Sequence, residues 1–90
     1  MKTVILDGTA ITGPEDVHEA FAAVLRFPDW YGRNLDALHD LLTEPPVAVT
    51  VILRHPDLLE QKLGRRWRSL RRCLRDAAAQ NPRITVLEEN

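Results

Sequence analysis

A chain of 90 residues makes one domain that buries about 60 to 65% of the surface exposed when unfolded, which excludes a separate catalytic domain. Hydrophobic residues make up 44% and charged residues 28%, too apolar for a disordered chain and without a run long enough to span a bilayer. The formal net charge of −1 hides a division, because Arg65, Arg66, Arg68, Arg71, Arg72 and Arg75 crowd one segment while residues 29–44 hold four acids and one arginine.

Residues 1–90 are read as a single domain opening on a buried strand, since Thr3-Val4-Ile5-Leu6 is a short apolar, β-branched run closed by the turn signal Asp7-Gly8. A helix follows. Pro14 suits its first position, Glu15 and Asp16 complement the positive end of its dipole, and Val17, Phe21, Val24 and Leu25 recur as an inward stripe. Phe27-Pro28 ends it, because the residue before a proline disfavours helical geometry. After the Gly32 turn, Asn34 is placed to cap a second helix whose Leu35, Leu38, Leu41 and Leu42 face inward until Pro45-Pro46 stops it. Val47 to Leu53 is the clearest strand, so continuously apolar that it is expected to be covered on both faces, as at the centre of a parallel sheet. His55-Pro56-Asp57 opens a short helix through Leu63, and Gly64 ends it. Residues 66–79 form a longer helix that buries Trp67, Leu70, Leu74, Ala77 and Ala78. Asn81-Pro82 breaks that helix, and Ile84 to Leu87 is the last strand. The order β-α-α-β-α-α-β has no hairpin signal, and helical crossovers join parallel strands right-handedly. The predicted fold is α/β, a three-stranded parallel sheet packed with about four helices.

Chemistry-bearing patterns are scarce. Phosphate-binding glycine loops, nucleophile triads and zinc-type cysteine or histidine spacings are absent, so an enzyme is the weakest class. His39 shares a helical face with Asp36 and Asp40, but so few ligands on an open helix leave most of a metal's coordination shell to water; no metal or cofactor is expected. The lone Cys73 has no disulfide partner in the chain and reads as a packing residue in a reducing compartment. MKTVILDG lacks the apolar stretch of roughly 7 to 15 residues that a signal peptide needs, which points to the cytoplasm.

Two charged faces remain. On the second helix Asp36, His39, Asp40 and Thr43 fall together opposite the leucines, with Trp30 and Asn34 at the N-terminal edge. Periodicity alone makes this a solvated surface. Trp30 and Tyr31 unsettle that reading, because burying both in a loop flanked by proline and glycine is difficult; Tyr31 has the option of the core, and at least one is expected to stand out as an interface anchor. The longer helix turns Arg65, Arg68, Arg72 and Arg75 outward, a stripe able to follow a nucleic-acid backbone. An Arg72–Asp76 pair at helical spacing is expected to weaken its field, and Trp67 faces inward where it cannot stack on bases. A plain charged surface is the better reading, and nucleic acid is not the expected partner.

The segment W-Y-G-x-N-L-D-A-L-x-D-x-L-T, running from Trp30 to Thr43, resembles the signature of the barstar family, intracellular inhibitors of small secreted bacterial guanyl ribonucleases. The likeness spans the chain: the early strand, the acidic start of the first helix before Val17-His18, the proline ahead of the aromatic pair, the Arg75-Asp76-Ala77 run and the final Ile84-Thr85-Val86 strand fall in the family's order. The family fold is a three-stranded parallel sheet with four helices. The resemblance implies that the second helix and the loop before it plug a ribonuclease active site, one inhibitor to one enzyme. It places Asp40 at the main contact, where a carboxylate replaces a substrate phosphate, and Asp36 at a second acidic contact. Asp76 stands where the family has a glutamate at the interface edge, and Trp30 where a tyrosine packs on the enzyme's catalytic histidine. Tyr31, Asn34 and Leu35 belong to the start of that surface, and Thr43 and Glu44 to its far rim.

The chain also departs from the pattern. His39 stands where the best-known member has a tryptophan, Glu44 replaces a glycine followed by another aromatic, and the segment leading to the second strand is about a residue shorter. The arginine-rich helix is unusual in an inhibitor of basic enzymes, which gains association rate from negative surface. The expected partner is therefore an overall acidic ribonuclease with a cationic cleft. An RNA-binding or regulatory module using the Arg65–Arg75 helix, and an immunity protein against a different nuclease toxin, are the alternatives.

Overall fold

A computed structural model describes residues 2–90. It places β1 (Lys2–Asp7), β2 (Val49–Arg54) and β3 (Ile84–Glu89) in one parallel sheet of order β1-β2-β3. Helices α1 (Pro14–Leu25), α2 (Leu35–Thr43), α3 (Pro56–Leu63) and α4 (Arg65–Gln80) complete the predicted β-α-α-β-α-α-β order. The local signals act where the sequence puts them: Pro14 opens α1, and Asn34 Oδ1 accepts from the Ala37 amide at 2.8 Å to cap α2. Gly8 has no alternative. A Cβ there would lie 2.6 Å from the His55 carbonyl oxygen and 2.7 Å from Leu58 Cβ, so only glycine lets the end of β1 meet the start of α3.

The sheet is covered on one face only, contrary to the expectation for β2. Val4, Leu6, Val49, Val51, Leu53 and Ile84 are buried under the helices, whereas Thr50 and Ile52 of β2 are half-buried and Ile5 and Leu87 beside them are exposed. The strand order gives the reason: right-handed crossovers that advance in one direction, from β1 to β2 to β3, send both pairs of helices to the same side. Continuous hydrophobicity in β2 therefore reflects β-propensity on its outer face as well as burial on its inner one.

Two strand boundaries move for polar reasons. Val47 lies outside β2 because its amide donates to the Leu42 carbonyl and its own carbonyl accepts from Asn81. β3 runs on to Glu89 because Glu88 and Glu89 stay in register with Leu53 and Arg54. Ion pairs fasten that extension: Arg54–Glu89 at 3.4 Å and Arg71–Glu88 at 2.7 Å. The covered face is filled by Phe21 of α1, Leu38 and Leu42 of α2, Leu59 of α3 and Leu74 of α4, all fully buried. Helix α2 packs chiefly on α4, so its opposite face is directed outward. Among the described residues, no helix is long and apolar enough to cross a membrane.

Candidate functional site

The loop before α2 is fixed from behind by α1. Tyr31 enters the core, its hydroxyl sharing a hydrogen bond with His18 Nδ1 and its ring meeting Phe27 edge-on at 4.8 Å. Burial raises the Tyr31 pKa above its usual 10. Burial, and secondarily the Arg33 charge, lowers the His18 pKa below 6.5, so the pair is neutral. Arg33, held at φ 54°, reaches Glu19 at 3.0 Å. Trp30 is left outside. It is 76% exposed, more than any other large apolar side chain among the described residues. Of the two aromatics in the motif, one is a core residue and the other an exposed side chain, so Tyr31 supports the loop from beneath instead of standing on its surface.

Helix α2 is secured at both ends. Asn34 caps the first turn, Leu38 and Leu42 are fully buried, and Leu35 and Leu41 are half-buried at the margins. At the far end Asn81 is a buried clamp: its Nδ2 donates to the Leu42 carbonyl at 2.9 Å and the Val47 carbonyl at 2.8 Å, while its Oδ1 accepts from the Arg83 amide. This adds a second, shorter donor to the Leu42 carbonyl at the helix end, which otherwise has only the Val47 amide at 3.3 Å. The sequence marks Asn81 only as a helix breaker, because its partners lie 39 and 34 residues away. Glu19, Arg33 and His18 were missed in the same way.

The outer face of α2 carries the acids. Asp36 and Asp40 are exposed; Asp40 makes one weak contact, 3.9 Å to the ring of the half-buried His39, and Asp36 has no hydrogen bond or ion pair among the described residues. Thr43 is a correction to the expected surface. It is buried, its hydroxyl donating to the His39 carbonyl at 2.8 Å, because the chain doubles back after α2 and pairs Thr43 with Pro46. Glu44 alone remains exposed at that end of the motif.

Between α2 and α4 runs a groove of about 240 Å³ lined by Leu35, Asp36, His39, Ser69, Arg72, Cys73 and Asp76. It brings Asp76 beside Asp36. Cys73 forms its floor, the thiol donating to the Leu35 carbonyl at 3.4 Å; burial first, then the neighbouring Asp76 and Asp36 charges, push its pKa up to about 11. It stays a protonated packing residue. The expected Arg72–Asp76 pair does not form, in keeping with the less favourable order of cation before anion along a helix. Arg71 is engaged instead, bonded to Glu88 and lying 5.4 Å over the Trp67 ring. The side chains of the other five arginines of α4 have no hydrogen bond or ion pair among the described residues, and no three His, Cys, Asp or Glu side chains there converge as a metal site.

The family model described as "Barstar (barnase inhibitor)" matches residues 1–87. A Bacillus subtilis (strain 168) protein named "Putative ribonuclease inhibitor YrdF" is 38% identical over 65 residues, 71% of this chain and 71% of its own length.

Proposed function

The chain belongs to the barstar family, whose members are inhibitors and not enzymes, and we propose that it inhibits a secreted bacterial guanyl-specific ribonuclease by seating α2 in the enzyme's cleft. The observation that carries this reading is the state of Asp36 and Asp40. Two exposed carboxylates, one turn apart, stand on a short helix that is capped at one end and clamped by a buried asparagine at the other. Such groups stand in for RNA phosphates: they accept charge-assisted, often bidentate hydrogen bonds from catalytic arginines, and a rigid helix presents them without an ordering cost at binding. Asp40 is the principal mimic, Asp36 the second and Asp76 the edge contact. Trp30 supplies the aromatic anchor beside them. Asn34 and Leu35 contact the enzyme at the helix start, while His39 and Glu44 tune which enzyme is accepted.

The stoichiometry is one to one, the target is an overall acidic ribonuclease with a cationic cleft, and the inhibitor acts in the cytoplasm to protect the producing cell. Titrating the purified protein into a panel of bacterial guanyl-specific ribonucleases, with RNA cleavage as the readout, tests this. At least one enzyme is expected to lose activity at the equimolar point; undiminished cleavage across the panel would rule the reading out.

A further inference from the structure

Building on the inhibitor reading, we propose that Arg72, with Arg68 behind it, belongs to the enzyme-contacting face. The target ribonuclease then carries carboxylates on the rim of its cationic cleft where α4 meets it. The geometry is a continuity of two grooves. Ser69 and Arg72 line the acidic recess that holds Asp36 and Asp76, and the same two residues line a second recess with Arg65, Arg68 and Glu60 on the other side of α4. A partner seated over Asp36 and His39 cannot avoid Arg72, because all three share one recess.

The charges in that recess are unspent. Asp36, Asp76 and Arg72 are exposed and stand close enough to line the same groove, yet none forms an ion pair with another. Water stabilises them in the free protein. A partner that covers the recess removes that water, and a guanidinium dehydrated without an acceptor costs free energy. A carboxylate opposite Arg72 cancels the cost and, through the planar fork of arginine, adds a bidentate contact. The partner surface must therefore alternate in sign: basic against Asp36, Asp40 and Asp76, acidic against Arg72.

RNA fits the same arginines less well. A polyanion laid along α4 would meet Asp36 and Asp76 across the shared groove, and Trp67, buried beneath Arg71, offers no face on which a base can stack.

The test compares one charge change at two places, using the panel ribonuclease that the wild-type protein inhibits most tightly. Arg72→Glu and Arg83→Glu alter net charge equally, and Arg83 is exposed in the turn before β3, away from both grooves. Binding by Arg72→Glu is expected to weaken by about tenfold or more, mainly through faster dissociation, and by Arg83→Glu by no more than about twofold. Arg72→Gln, which removes the charge without reversing it, is expected to fall between them, with circular dichroism confirming an intact fold for all three. Equal effects of Arg72→Glu and Arg83→Glu would reduce α4 to a contributor of long-range field and overturn the rim contact. So would unchanged enzyme binding by Arg72→Glu accompanied by loss of wild-type affinity for a fluorescein-labelled single-stranded RNA oligonucleotide, which would assign the stripe to nucleic acid. Absence of inhibition by the wild-type protein overturns the inhibitor reading itself, whereas inhibition that survives Arg72→Glu overturns only the α4 contact.

Discussion

Helices α2 and α4 pack on each other, both are amphipathic, and they carry opposite charge, yet they hold their charges differently. On α2 the acids play little part in the fold. Among the described residues the Asp36 carboxylate has no bonded partner and that of Asp40 only a weak one, while the helix is positioned by leucines, by its Asn34 cap and by Asn81. On α4 one of six arginines, Arg71, is tied to β3 through Glu88 and packed on Trp67, and the side chains of the other five have no hydrogen bond or ion pair among the described residues. The contrast shows where this molecule keeps its structural polar contacts: in buried groups such as Asn81 and the His18–Tyr31 pair. Exposed ion pairs are worth little to stability, so a surface charge can be altered or recruited without disturbing the fold.

The widest separation between the two kinds of residue is expected at Asp40. Asp40→Ala should weaken binding to the target ribonuclease by about 2 to 5 kcal/mol, a general range for a truncated interface charge pair to which a complex of this family contributes. Its thermal stability should stay within about 0.5 kcal/mol of wild type. Titration calorimetry showing unchanged affinity would remove α2 from the interface.

Asn81→Ala reverses the pattern. It strands the Val47 carbonyl and leaves the Leu42 carbonyl only the Val47 amide at 3.3 Å, and a buried unpaired acceptor costs about 1 to 3 kcal/mol, so the loss should appear in urea unfolding of the free protein before it appears in binding. A stability equal to wild type would show that water replaces the clamp.

A milder perturbation is pH. His18 is held neutral by burial, its folded pKa lying below the 6.5 of the unfolded chain. Below about pH 6.5 the unfolded chain takes up a proton that the folded state refuses, so stability is full above that pH and declines as pH falls toward the folded value. Urea midpoints measured between pH 7.5 and 5.5 should drop for the wild type and lose that slope in His18→Gln; a slope kept by the variant would assign it to another group. Asp7 and Asp16 do not confuse the measurement, because their hydrogen bonds to Thr9 and Thr12 lower their pKa values below 3.8 and move their window further into acid.

The smallest change is expected at Arg71. Arg71→Ala should cost no more than about 1 kcal/mol, since its ion pair is partly exposed and only the contact with Trp67 is sheltered. A larger loss in thermal unfolding would mean that the α4 cations carry structure after all and would blur the distinction from α2.

Much of the fold was legible in the chain because its signals are local. Pro14, Asn34 and Gly64 act on the backbone beside them, and the leucine spacing of α2 fixes its inner face whatever it packs against. The candidate site was legible in part: the outward positions of Asp36 and Asp40 follow from helical periodicity, and the role proposed for them rests on the family motif. Thr43 was misplaced because periodicity describes a continuing helix, and the chain instead folds back over its last residue. Periodicity was equally silent on which of Trp30 and Tyr31 is buried, a choice made by His18 and Phe27.

By itself, then, the sequence determined the order of elements and the acidic face of α2, because each depends on neighbours within a few residues, and the parallel sheet, because helical crossovers between strands leave no other direction. Only the tertiary structure decided that the sheet is covered on one side, that Asn81 locks the end of α2, and that Arg72 shares a groove with Asp36 and Asp76 without pairing to either. Those outcomes depend on which distant groups arrive together once the crossovers have turned, and no local pattern of residues encodes that meeting.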